Sequence, residues 1–184
     1  MKLEMRTVQK IAAAAMTLAV MFGCASPLKP LAASAAQNTV SVSADIDEEN
    51  SYISAQGQMY QKDFLKLINK ARAKAGLNSV ELGDAAHNAA AAERAEEIAT
   101  VNSHTRPDGS KCFTVLKEYG VTAAPTGENA AWGSVSPQEV VDAWMQSEGH
   151  RANILNPEAR AMGVGYYYNS SSTWGHQWIQ IFTK

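Results

Sequence analysis

Two β-prone runs close the chain, Gly163 to Tyr168 and Gln177 to Phe182, and the polar stretch Asn169 to Gly175 between them reads as the turn of a hairpin. A two-stranded hairpin is marginal in water, so these strands need a second layer to bury against. The preceding sequence supplies helices for it. From Tyr60 onward, Phe64, Leu67, Ile68, Ala71 and Ala75 recur at three- and four-residue steps, Lys62, Lys66 and Lys70 fall on other faces, and Gly76 stops the pattern. A second helix starts at Asp84 as N-cap and runs through AAHNAAAAERAEEIATVN, where Ala85, Ala89, Ala92, Ala95 and Ile98 or Ala99 make a thin stripe. Side chains that small let a neighbouring layer come close. A short helix from Lys111 to Tyr119 ends at Gly120. Then Ser136-Pro137-Gln138-Glu139 forms a capping box with proline at the first helical position, launching a helix that carries Val140, Val141 and Trp144. That helix ends near Gly149, and a turn from His150 to Leu155 precedes Pro157. Helices first and a hairpin last predict an α+β fold, not a doubly wound one.

Charge and cysteine content exclude several classes of function. With 16 Lys and Arg against 18 Asp and Glu, no stretch gathers enough base to follow a phosphate backbone, which excludes nucleic acid as a partner. Two cysteines without a C-x-x-C pair make neither a disulfide scaffold nor a thiolate zinc cage, so a metal site has to use His and carboxylate. At the N-terminus, Lys2, Arg6 and Lys10 precede the apolar run Ile11 to Phe22. As a helix that run rises only about 18 Å, against about 30 Å of membrane hydrocarbon. It therefore reads as an export signal over residues 1–36, cut after Ala35 or Ala36, and not as a permanent membrane span. The alternative for this segment is a lipid anchor on Cys24. Residues 37–57 are polar and acidic and read as a disordered linker, leaving 58–184 as the folded domain.

Within that domain His104 and His150 sit at loop or helix-end positions, with Glu128 between Gly127 and Asn129 and Glu148 two residues before His150. Two imidazoles and one or two carboxylates suit Zn2+ or a related divalent cation with coordination positions left open. The spacings are long and no H-E-x-x-H occurs, so spacing alone points to the site only weakly. Cys112 with His104 as base is a second constellation, set against the commoner role of a cysteine as a small packing residue. His87, in the Ala-rich helix, and His176, beside Trp178, read as structural groups. No G-x-S-x-G elbow and no phosphate loop is present. Trp144, Trp174, Trp178, Phe182 and Tyr166 to Tyr168 either line an apolar groove or, by strand alternation, divide into core on one face and exposed rings on the other; the second reading is favoured.

Taken together, SHTRPDGSKCFTVL, GENAAWG, SPQEVVDAWMQSEGHRANILNP and GVGYYY…HQWIQIF resemble the signature blocks of the bacterial branch of the CAP superfamily, the cysteine-rich secretory, antigen 5 and pathogenesis-related proteins, also called SCP-like extracellular proteins. The blocks occur in order over about residues 58–184. The resemblance implies a three-layer α-β-α sandwich and a further strand near Glu128 to Trp132. It also implies a cleft carrying two His and two acidic residues, where some members bind a divalent cation. By motif His104, Glu128 and His150 map onto that cleft, with Glu148 as the nearest acid for the fourth place, and the two histidines are the metal-ligand candidates. The disulfides and the cysteine-rich extension of animal members are missing, so activities tied to that extension do not transfer. The function this implies is a secreted module holding an extracellular lipid, glycan or peptide ligand in the cleft. The alternative is a metal-dependent, peptidase-like hydrolase with Glu128 as its base.

Overall fold

The computed structural model describes residues 57–184, so the export signal, the Cys24 anchor and nearly all of the linker lie outside the described residues. Helix α1 covers 57–74 and includes residue 57, the last position assigned to the linker. It is followed by β1 (Glu81–Leu82), α2 (Ala85–Glu97), α3 (Thr114–Glu118), β2 (Pro125–Trp132), α4 (Pro137–Gln146), α5 (Glu148–Ile154), β3 (Ala161–Asn169) and β4 (Gly175–Thr183). The strands form one sheet in the order β1-β3-β4-β2. β3 and β4 make the closing hairpin, antiparallel from Ala161↔Thr183 to Asn169↔Gly175, and β2 adds antiparallel to the far side of β4. β2 is therefore an edge strand. The two-residue β1, parallel to β3, has no counterpart in the sequence reading, because so short a run carries no period.

Alternation along β4 divides the core in two. Trp178 and Phe182 join Phe64 and Ile68 of α1, Val140, Val141 and Trp144 of α4, and Ile154 of α5 in one cluster. Ile179 and Ile181 point the opposite way, to Ala90, Ala91 and Ala95 of α2 and Val115 and Leu116 of α3. A sheet buried on both faces by helices is the expected α-β-α sandwich. The aromatic residues follow the favoured division: Trp144, Trp178 and Phe182 are core, whereas Trp174 and Tyr168 are exposed.

The Ala-rich helix does allow close approach, but through a rotated stripe. His87, Ala90, Ala91, Arg94 and Ala95 are buried, while Ala85 and Ala92 are exposed. In a helix so rich in alanine apolar periodicity cannot tell faces apart, and the deciding residues are on the other layer. Gly163 and Gly165 of β3 lie under α2, where a Cβ on Gly165 would stand 2.0 Å from the Ala91 carbonyl oxygen. His87 is the structural group expected: it is buried, and its Nε2 accepts from the Gly163 backbone N–H at 3.1 Å. Burial holds this ring below the ordinary imidazole range. His176 is likewise satisfied, with Nδ1 3.0 Å from the Tyr166 hydroxyl.

Two boundaries differ from expectation. α2 stops at Glu97, short of Asn102. The stretch after Trp144 breaks at Ser147, so the supposed turn from His150 is a helix of its own, α5, and it carries Glu148 and His150 together. On the outer face of the core Arg72 completes the α1 stripe at four-residue steps from Phe64 and Ile68, fully buried. Its guanidinium donates to the backbone carbonyls of Asn78 (2.8 Å), Ile154 (2.7 Å) and Asn156 (2.9 Å), tying α1 to the end of α5.

Candidate functional site

The loop after α2 is folded by its own turn chemistry. The Gly109 N–H donates to the Arg106 carbonyl at 2.9 Å across Pro107-Asp108, Gly109 takes a φ of +84°, and the Asp108 carboxylate accepts from the Ser110 N–H at 2.9 Å. Below this tip Thr105 pairs with Lys111, and the Cys112 N–H donates to the His104 carbonyl at 3.0 Å. His104 thus stands at the base of a closed turn, over the edge strand β2.

On β2 the triplet Gly127-Glu128-Asn129 places each histidine, because successive side chains leave a strand on opposite faces. Glu128 points to the α2 side. Its Oε1 lies 2.7 Å from His104 Nδ1, and Arg94 grips the same carboxylate with Nε to Oε2 at 3.0 Å and a terminal nitrogen to Oε1 at 3.3 Å. Asn129 points to the α5 side, where its amide nitrogen donates to the His150 carbonyl at 3.2 Å and its oxygen accepts from the Asn153 amide at 2.9 Å. The Asn153 amide also donates to the Glu128 carbonyl at 3.1 Å, which covers part of the open strand edge. Gly127 leaves room for this: a Cβ there would meet the Asn153 side chain at 2.4 Å. The two histidines are therefore held from opposite faces of one strand.

Behind Glu128 runs a ladder of alternating charge that the sequence reading missed. Arg94 also donates to Glu97 at 2.6 Å and to the Ser103 carbonyl at 3.1 Å, and Glu97 in turn receives Arg106 at 2.6 and 2.9 Å. Arg106 continues to Glu118 and to the Thr114 hydroxyl at 3.0 Å. Arg94 is fully buried and Arg106 nearly so, positions an arginine holds only with partners. In the sequence both look like ordinary surface cations. The one available signal was Arg94 at a seven-residue step from His87 on a helix of alanines.

Electrostatics follow the geometry. Burial would push the Glu128 carboxyl up, but hydrogen bonds from His104 and Arg94 override it and hold the group below the usual carboxylate range. The bond to Glu128 raises His104 above the ordinary imidazole value, against a smaller effect of burial. His150 moves the other way, lowered by burial and then by the charge on His104. Its ring lies 6.3 Å from that of Trp144. Burial, with the Glu128 charge, pushes the Cys112 thiol up to about 12, so at neutral pH it stays protonated and is no nucleophile.

Among the described residues His104, Cys112 and Glu128 bring their donor atoms within 4.8 Å of one another. Within this trio both Glu128 oxygens are already engaged, by His104 and Arg94. The free donor is the outer nitrogen of His104, whose side chain is 58% exposed. His150 lies outside that trio, half-buried on α5. Glu148 is exposed in the first turn of α5 and takes no part in the bonds among His104, Glu128 and Arg94.

A sandwich of this layout with His104 and Glu128 at the edge strand defines a class, and sequence comparison agrees with it. The chain belongs to the CAP family: the model of the cysteine-rich secretory protein family matches residues 65–182. It is 38% identical over 152 residues to the uncharacterized protein YkwD of Bacillus subtilis, covering 80% of this chain and 58% of that protein. It is 33% identical over 115 residues to the uncharacterized membrane protein YlbC of the same organism, covering 57% of this chain and 31% of YlbC. The chain thus spans less than two thirds of the length of either relative. Among solved structures it is similar to an extracellular SCP-domain protein from Bacillus anthracis, with a TM-score of 0.59 and 25% identity over 67% of this chain and 39% of that one. An outer surface protein of Borrelia burgdorferi shares the fold, with a TM-score of 0.58 and 23% identity over 67% of this chain and 90% of that one. Among the described residues no helix is long and apolar enough to cross a membrane.

Proposed function

We propose that this protein is a secreted binding module of the CAP family, which presents His104 and His150 to an extracellular lipid, glycan or peptide ligand and uses the same two imidazoles for a divalent cation such as Zn2+. The observation that carries this reading is the state of Glu128. Its side chain is 1% exposed, and Arg94 and His104 occupy both its oxygens. A general base needs a lone pair within reach of water, and a carboxylate buried behind His104 and Arg94 is turned away from solvent. What it does instead is fix the His104 ring with Nδ1–H inward, which leaves the Nε2 lone pair outward, as carboxylates that hydrogen-bond to metal-binding histidines do. The fit of a cation rests on that outward nitrogen and on His150 beyond the strand edge. A bound cation would supply Lewis acidity and a coordination position for an oxygen ligand. Export is supported by the basic and apolar N-terminus and by the extracellular character stated for the Bacillus anthracis protein.

The alternative, a metal-dependent hydrolase, is separated by one substitution. Wild type and Glu128→Gln are screened side by side against lipid, peptide and glycan panels for both turnover and binding. The expected outcome is no turnover by either protein, with ligand affinity altered in Glu128→Gln. Turnover by the wild type that vanishes in Glu128→Gln would establish the hydrolase and reject the binding-only reading.

A further inference from the structure

The hairpin that closes the sheet carries two large rings into solvent. Trp174 is 55% and Tyr168 54% exposed, while Trp178 and Phe182 of β4 are fully buried. Single exposed rings are common on protein surfaces, but these two are held in a fixed relation to each other. Tyr168 faces His176 across the register of β3 and β4 with ring centroids 4.9 Å apart, and His176 Nδ1 is 3.0 Å from the Tyr166 hydroxyl. Tyr168 thus ends a row of rings that starts at Trp178 and passes through Tyr166. Trp174 leans the other way: a Cβ on Gly133 would stand 3.5 Å from its ring, and the Gly133 N–H donates to the His176 carbonyl at 3.0 Å, on the β2 side of β4. β2 and β3 lie about 10 Å apart across β4. The turn between the rings is tied by its own bonds. The Ser171 N–H donates to Asn169 Oδ1 at 2.9 Å, and the Gly175 N–H donates to Ser172 Oγ at 3.0 Å. Rings on such a frame lose little freedom when they bind.

The chemistry around them is neutral and rich in hydroxyls. Between Ala161 and Thr183 the chain holds no Asp, Glu, Lys or Arg. The hydroxyls of Ser170, Ser171 and Thr173 stand at exposed positions and bond to no other described residue. Flat aromatic faces with a hydroxyl rim match a sugar. The axial C–H groups of a pyranose carry partial positive charge and settle on the negative face of a ring, while its equatorial hydroxyls reach the polar rim. A charged polymer finds no counter-charge on this hairpin, and the basic residues that draw a protein to a lipid surface are missing from it. A peptide offers the rim one N–H and one carbonyl per residue, fewer polar groups than a sugar carries. In a β-1,4-linked chain the sugars are extended and each presents a flat face, so two of them meet two rings spread across a strand; an α-1,4-linked chain curls away.

We propose that the tip of this hairpin is a second binding site, which takes a neutral β-1,4-linked glycan by stacking its sugars on Trp174 and Tyr168. Glu128 pairs with Ile181, six residues along β4 from Gly175, which sets the site about 20 Å from the His104 cleft. It works whether or not that cleft is filled. Its test is calorimetric titration of the full chain with chitohexaose and cellohexaose, followed in parallel by tryptophan emission. The comparison ligands are maltohexaose, phosphatidylcholine vesicles and the neutral peptide acetyl-Thr-Val-Thr-Val-Thr-amide. At least one β-1,4-linked hexamer should bind more tightly than all three, with a blue shift as Trp174 leaves water. Trp174→Ala and Tyr168→Ala should each weaken binding about five- to tenfold, and the double variant should abolish it. Trp174→Leu, which keeps an apolar contact with Gly133 but has no ring face, should weaken binding as much as Trp174→Ala. It carries the test should circular dichroism show the alanine variants unfolded. His104→Ala/His150→Ala should bind as the wild type does. No binding of either β-1,4-linked hexamer, undiminished binding by the ring variants, or equal or tighter binding of maltohexaose, the vesicles or the peptide would overturn the proposal.

Discussion

His104 Nδ1 lies 2.7 Å from Glu128 Oε1, and Arg94 holds the same carboxylate from behind, so one edge-strand glutamate sets both the orientation and the proton of an exposed imidazole. In the neutral ring that contact requires the Nδ1–H tautomer, with Nε2 as the free acceptor. His104 and His150 should therefore titrate apart. By NMR of the metal-free protein, His104 should titrate above the ordinary value of 6.5 and His150 below it. In Glu128→Gln, His104 should fall back toward 6.5, whereas a His104 that stays high in that variant would show another group to be responsible.

Stability should follow the same pair with a definite sign. His104 is raised, so its contribution is full below 6.5 and fades as pH rises through its folded value; Glu128 is lowered, so its contribution is present above 4.5 and fades as pH falls. The difference in urea midpoint between wild type and His104→Ala should be largest between these two values and shrink on either side. Exposure of the imidazole makes the effect small. A difference that grows steadily toward alkaline pH would contradict it.

Helix α4 depends on its cap. Ser136 accepts from the Glu139 N–H at 3.3 Å, and the Glu139 carboxylate reaches back one residue further than usual, to the Val135 N–H at 3.0 Å. Ser136→Ala should cost about 1 kcal/mol in chemical unfolding. An unchanged midpoint would mean that water replaces the hydroxyl at no loss.

Glycines should divide sharply by position. Gly165→Ala puts a methyl group against the Ala91 backbone and should destabilise by about 3 kcal/mol or more, or prevent accumulation of folded protein. Gly149→Ala meets nothing within 4 Å and lies inside α5, so it should stabilise by about 0.5–1 kcal/mol. Equal effects of the two substitutions would refute the close approach of α2 to β3.

Local signals in the chain were strong where chemistry is local. The Ser136 cap, the Pro107-Asp108-Gly109 turn and the closing hairpin need only neighbours in sequence, and the structure has each where expected. The third long strand, Pro125–Trp132, came from resemblance and not from pattern, since PTGENAAW holds neither an apolar alternation nor a β-branched run. The rotated face of α2 was hidden because the information sits about 70 residues away in Gly163 and Gly165. The same holds for the site. His104, Glu128 and His150 were named through motifs, while Arg94, Glu97 and Arg106 became visible only when folding stacked their charges behind Glu128. Glu148, the expected fourth cleft residue, sits exposed on α5, while Glu97, which no motif named, contacts Arg94 behind Glu128.

The measurement that bears most directly on the cleft is calorimetric titration of Zn2+ into wild type, into His104→Ala/His150→Ala and into Glu128→Gln, at about pH 7.5 and again in acid. Wild type should bind Zn2+, and binding should be lost in the double variant and lost as the imidazoles protonate. Glu128→Gln should bind about 10- to 100-fold more weakly but still measurably, as when a supporting carboxylate is removed from a ligating histidine. Zn2+ binding of equal strength by the wild type and the double histidine variant would contradict it.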